Sequence, residues 1–286
     1  MELRKQRDFS ELISDTFTFV KLNWKPLLTA FAGICGFFIV ASIIVSTLTQ
    51  LQILSLTNDE VPVFPQRRFA AFGLGQVLVL IMALLEHVAI GLTVISYISL
   101  REKLGVPPSV EEVWTQVKYY FFQYTGAFIL VGLMQVLGII CCVLPGIYLI
   151  PISSLILVVL VMENGTIGHA FSRGFSLVKD YWWTTFGALF VIGLVLYAFA
   201  MIFAIPAMII GMGSVMAGTG ETISKPLIIA ISIVSQLSAV FYILPWVVTC
   251  LCYYNLTEVK DGTGLVGRIE KLGSLEQEGP ASPEEY

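Results

Sequence analysis

Charge is scarce in this sequence, and where it is missing matters more than how much there is. No lysine or arginine lies in any of the long apolar runs, and charged residues make up only 13% of the 286. Histidine occurs twice, at His87 and His169. No H-E-x-x-H, C-x-x-C or G-x-S-x-G arrangement is present, so the usual zinc, redox and acyl-transfer signatures are absent. Gly213 to Gly220 has two glycines at phosphate-loop spacing, but Thr219 stands where the phosphate-binding lysine belongs. No catalytic site, cofactor or metal site is expected. The five cysteines, Cys35, Cys141, Cys142, Cys250 and Cys252, all fall in or beside apolar runs and are expected to be small core hydrophobes.

What is present is apolar surface. Hydrophobic residues make up 57% of the chain, and the mean hydropathy is +0.85. That is more than a water-soluble domain of this length covers, which makes a membrane protein the default class. The net charge of −4 comes from the region after Tyr254, where three basic residues meet seven acidic ones, and nothing points to a nucleic-acid partner.

A span needs about 20 apolar residues to cross roughly 30 Å of hydrocarbon. Residues 27–56, 69–100, 184–213 and 226–254 satisfy that length. The region from Phe121 to Met162 would reach roughly 60 Å as one helix, and it is punctuated by Pro145-Gly146. It divides into spans at 122–143 and 145–162 joined by a tight turn, with a re-entrant hairpin as the alternative. The expected fold is all-α, a polytopic bundle of six transmembrane helices. Prolines at 151, 206 and 245 are expected to kink their helices.

Six spans with both termini inside place thirteen of the sixteen basic residues on one face, leaving only Arg67, Arg68 and Lys225 on the other. This matches a bacterial cytoplasmic (inner) membrane protein with cytoplasmic N- and C-termini. The first apolar run, starting at Leu27, is too long for a cleaved signal peptide and is expected to stay as an anchor.

One eight-residue pattern occurs three times: Phe17 to Trp24, Trp114 to Phe121 and Phe175 to Trp182, each with Val-Lys at its centre. Each copy precedes a pair of spans. The expected unit is therefore an amphipathic interfacial helix (8–24, 109–120 and 165–182) followed by a transmembrane hairpin, and three units give the membrane domain 1–260. The second interfacial helix opens with Ser109-Val-Glu-Glu112, a capping box. The bilayer itself is the expected partner. Lys21, Lys118, Lys179, Trp24 and Trp182 are candidate contacts for anionic lipid headgroups, and bracing of the bundle is the competing use of these helices. Residues 261–286 form a short acidic tail, expected to be disordered from Ser274.

The stretch Val143 to Leu149, with Glu163 and Ala170 to Trp182, resembles the signature of bacterial six-span proteins related to the membrane domain of glycerophosphoryl diester phosphodiesterase. Many members carry a serine where Gly174 stands here. The resemblance implies membrane residence and a shared architecture. It does not carry the phosphodiesterase activity, because that catalytic barrel takes about 250 residues, whereas 32 residues follow Tyr254.

One pair of residues departs from the apolar pattern: Glu86-His87, well inside the second span. An ionisable group at that depth costs several kcal/mol unless it faces the bundle interior or water. Glu86 should either carry its proton at neutral pH or face a wet cavity. Ser42, Ser46 and Gln50 recur every four residues on the first span, and Ser232, Ser235, Ser238 and Tyr242 cluster on the sixth. Glu86, His87, Ser46, Gln50, Ser235 and Tyr242 are therefore the candidate intramembrane polar site. Interhelical hydrogen bonding is the structural alternative. Two functions follow: a non-enzymatic envelope scaffold or lipid-handling protein, or a small secondary transporter with Glu86 as its proton-coupling residue.

Overall fold

A computed structural model describes residues 1–58, 65–216 and 225–262, with side chains described for 1–53, 73–202, 205 and 229–262. The glycine-rich segment 213–220, the side chains of Arg67, Arg68, Pro206 and Lys225, and the tail from 263 lie outside the described residues or side chains.

Among the described residues the chain is all-α, with eight α-helices: α1 (Phe9–Asn58), α2 (Pro65–Leu104), α3 (Val110–Cys141), α4 (Val143–Met162), α5 (Ile167–Val178), α6 (Trp182–Met216), α7 (Lys225–Leu237) and α8 (Ile243–Asp261). Six stretches of the described residues are long and apolar enough to cross a membrane. The chain is a multi-pass membrane protein built as a helical bundle.

The expected separation between interfacial and spanning helices holds only in the third unit. The first is one continuous helix from Phe9 to Asn58, with Pro26 inside it. Proline removes an amide donor and crowds the carbonyl four residues earlier. That residue is Leu22, which lies on the exposed face of α1. At 1.5 Å per residue a straight α1 would run to about 75 Å, more than twice the hydrocarbon thickness, so part of it lies beyond the bilayer core. The second unit is likewise continuous through α3, which opens on the expected capping box: Glu112 N–H donates to Ser109 Oγ at 3.3 Å, and Ser109 N–H donates to Glu112 Oε2 at 2.7 Å. In the third unit the short helix is separate but ends at Val178, before the expected Trp182.

The turn between α3 and α4 is a single residue. Cys142 takes an extended conformation (φ −171°, ψ 147°) between two helices, three residues before Pro145. Pro145 is tolerated as the third residue of α4, because first-turn amides have no partner within the helix. Gly146 allows the close approach: a Cβ there would stand 2.5 Å from Ile139 Cγ1 and 3.2 Å from its Cα. Cys141 and Cys142, expected in the core, are exposed at this turn, while Cys35, Cys250 and Cys252 are buried. Being apolar did not bury the first two, because a hairpin tip has no neighbouring helix to cover it.

The sixth span is not one helix. α7 gives way to a 3₁₀ segment, Ser238–Tyr242, before α8 begins. Pro245 accounts for the break, since it cannot donate to the carbonyl of Phe241, so the backbone just before it tightens. By contrast α4 stays a single helix through Pro151. Gly262, at φ +61°, terminates α8 and donates its N–H to Glu258 O at 3.1 Å.

The core is made by the second helix of each hairpin. Val88 to Ser99 of α2, Leu155 to Val161 of α4 and Val247 to Glu258 of α8 are buried as continuous runs, whereas α3 and α6 bury only every third or fourth residue. Tight approaches hold these elements together. A Cβ on Gly91 of α2 would meet Tyr124 Oη at 2.4 Å and Trp246 Cζ2 at 2.7 Å, and one on Gly174 of α5 would meet Ile156 Cγ1 at 2.6 Å.

Candidate functional site

The polar positions of three helices meet in one cavity. Ser42, Ser46 and Gln50 of α1, Glu86 and His87 of α2, Ser235 and Gln236 of α7, and Ser238 and Tyr242 of the 3₁₀ segment line a space of about 250 Å³. All six residues singled out as an intramembrane polar site are among them. Val79, Met82, Ala83 and Ala239 supply its apolar wall.

Helical spacing explains the convergence. Ser42, Ser46 and Gln50 lie four residues apart and share a face of α1, and α2 runs antiparallel beside it. The opposite wall depends on the 3₁₀ segment, which places Ser238 and Tyr242 against α2. His87 and Tyr242 have their ring centres 5.0 Å apart. His87 Nδ1 lies 2.9 Å from Ala83 O, so its Nδ1–H donates there and Nε2 is left for the cavity side.

Glu86 is 4% exposed. Gln236 Nε2 donates to its Oε2 at 3.4 Å, a long bond for an amide donor. The Ser42 side chain faces the same carboxyl, yet its buried hydroxyl has no partner at bonding geometry. Farther along α1, Gln50 Nε2 donates to Ser232 Oγ at 3.3 Å and ties the cavity wall to α7. These long or missing bonds mean that the polar groups are not saturated by one another. Ser42 and Gln236 join the site on the structure; both had a signal in the sequence, a polar side chain in an apolar run.

A second polar cluster went unread in the sequence. Glu163, at the end of α4, accepts from His169 Nε2 at 2.6 Å, Arg173 Nε at 3.2 Å and Tyr253 Oη at 3.2 Å. Arg173 also binds Asp261, and Lys260 binds Asp180 at 3.1 Å. Burial works against the Arg173 charge, but the bonds to Asp261 and Glu163 outweigh it and raise the guanidinium above its ordinary pKa. This cluster fastens α5 to α4 and α8. Nearby, the buried Arg7 donates from its backbone N–H to Asn255 Oδ1 at 2.8 Å and from Nε to Asp15 at 2.8 Å. Among the described residues no three histidine, cysteine or carboxylate side chains converge as metal ligands.

The candidate lipid contacts divide. Lys21, Lys118, Lys179 and Trp24 are exposed. Trp182, expected at the inner boundary beside Lys179, instead donates Nε1–H to Tyr148 O at 2.9 Å and stacks between Tyr148 and Phe186. Tyr148 is close to the turn end of α4, so Trp182 is a packing residue. α5 packs on α4, with Gly174 against Ile156, and the chain that follows it brings Trp182 onto Tyr148.

No protein-family model, curated protein or solved structure matches the chain. The class therefore rests on fold and site: a multi-pass helical membrane protein with a polar, carboxyl-bearing cavity inside its bundle.

Proposed function

We propose that the protein is a small secondary transporter or permease, with Glu86 as the group that couples solute movement to a proton. The observation that carries this reading is the convergence of Glu86 with hydroxyl and amide side chains from α1 and the α7–α8 span on one cavity. Ser42 of α1 and Gln236 of α7 approach the Glu86 carboxyl from two other helices, Gln236 Nε2 at 3.4 Å, so the carboxyl stands at the meeting point of the cavity walls. The break in the sixth span adds a backbone irregularity beside the cavity, where membrane proteins tolerate one.

The test uses proteoliposomes containing a pH-sensitive dye, challenged in turn with gradients of tetramethylammonium, glycerol and glycine. Glu86→Gln is expected to abolish solute-linked proton movement while leaving the thermal unfolding profile within a few degrees of the parent. If the variant moves protons as the parent does, Glu86 is not the coupling group. If neither protein moves any of the three solutes or protons, the exposed lysines favour the alternative, a scaffold working at anionic lipid headgroups.

A further inference from the structure

From the chemistry of the cavity we infer its substrate class: the site binds a small organic monocation, an ammonium group held by Glu86, in exchange for the carboxyl proton. This deepens the transport reading and rests on it for direction of movement, but not for binding.

Glu86 is the only carboxylate among the described lining residues, and none of them is a lysine or arginine. The titratable groups around it are His87 on its own helix and Tyr242 of the 3₁₀ segment. Neither of these is an obligate cation. A buried carboxyl is tolerated in two neutral states: with its proton on, or with its proton off and a cation against it. The same oxygen atoms serve both, so proton and cation exclude one another. Binding breaks the Glu86 O–H bond, releases the proton to solvent and leaves the carboxylate paired with the incoming cation, so charge in the site is conserved.

The remaining lining fits an ammonium group better than a bare metal ion. Ser42 Oγ and Ser46 Oγ are neutral acceptors, and the ring of Tyr242, 41% exposed, offers a π face of the kind that attracts ammonium groups. Val79, Met82 and Ala239 give the carbon atoms an apolar surface to cover. A volume of about 250 Å³ is below the roughly 300 to 1,000 Å³ that holds drug-sized ligands, but much more than the ~30 Å³ share of a single water. The occupant is therefore small and larger than a desolvated metal ion.

Titration calorimetry on the purified full chain in detergent tests this, with tetramethylammonium as the probe, tert-butanol as its neutral counterpart and sodium as a bare cation. Tetramethylammonium is expected to bind, tert-butanol and sodium at least about tenfold more weakly, the scale set by one contact to a charged group. Repeating the titration in buffers of different ionisation heat is expected to show release of about one proton per cation bound. Glu86→Gln should weaken binding about ten- to hundredfold, and Tyr242→Leu, which leaves the carboxyl intact, should weaken it less without changing the proton count. Equal binding of tert-butanol, a preference for sodium, or unchanged affinity in Glu86→Gln overturns the assignment. Cation binding without flux in the liposomes removes the transport reading alone, whereas Glu86-dependent flux of glycerol or glycine without cation binding removes this inference alone.

Discussion

Gly91 and Gly36 belong to neighbouring helices, and one methyl group is expected to have opposite effects at the two positions. At Gly91 the added Cβ collides with Tyr124 and Trp246, whereas at Gly36 it meets nothing within 4 Å. Gly91→Ala should lower stability by about 1 to 3 kcal/mol, the usual cost of overpacking. Gly36→Ala should raise it by about 0.5 to 1 kcal/mol through the restricted backbone. Thermal unfolding in detergent checks both, and a destabilised Gly36→Ala would show that α1 has another neighbour there. Among other glycines of the spans, a Cβ on Gly33 would stand 3.2 Å from Val110 Cγ1 and one on Gly187 3.0 Å from Phe9 Cε2, while one on Gly73 would meet nothing within 4 Å. The polar site was easier to read. A serine, glutamine or carboxylate in an apolar run must face something other than lipid, and a spacing of four fixes which residues share that direction. Composition says nothing comparable about glycine, because a missing side chain leaves no preference for a partner.

Among the elements, the broken sixth span and the α5 clamp carry the next predictions. Pro245→Ala restores an amide able to donate to Phe241 O, so α8 should extend backward into residues 238–242, slowing hydrogen exchange across that stretch. The wall of the cavity then turns, and tetramethylammonium affinity should fall. Glu163→Ala leaves Arg173, His169 and Tyr253 without their shared acceptor and should cost about 1 to 3 kcal/mol. Limited proteolysis after Lys260 should become faster as α8 loses the Tyr253 tie to α4, and unchanged cleavage would show that the direct pairs Arg173–Asp261 and Lys260–Asp180 hold that end. The spans were legible as elements because length and hydropathy alone decide them. Where α1 and α3 leave the membrane was not. An amphipathic stretch and an apolar stretch have the same helical backbone, so a change of environment need not be a break in the helix. The cluster on Glu163 was unreadable because its members lie up to 98 residues apart, from Glu163 to Asp261.

For the whole molecule, the natural cysteines provide a test of the six-span arrangement. Cys141 and Cys142 are exposed at the α3–α4 turn and the other three are buried. A membrane-impermeant maleimide is expected to modify only these two, and from the face opposite the one that bears Lys21, Lys118 and Lys260. Labelling from the same face would replace the crossing hairpin with a re-entrant one.

The burial pattern also has a temporal side. α8, whose buried stretch is as long as that of α2, is the last of the eight helices to be synthesised, and its Asn255 receives the backbone N–H of Arg7 across 248 residues. Until that moment the faces of α2 and α4 that pack on α8 stay uncovered, and Arg7 lacks one of its fixed partners. Insertion and final assembly are thus expected to be separable in this protein: helices enter the bilayer one after another, and a ribosome stalled before residue 243 would leave five complete spans without the helix that packs on α1, α2 and α4.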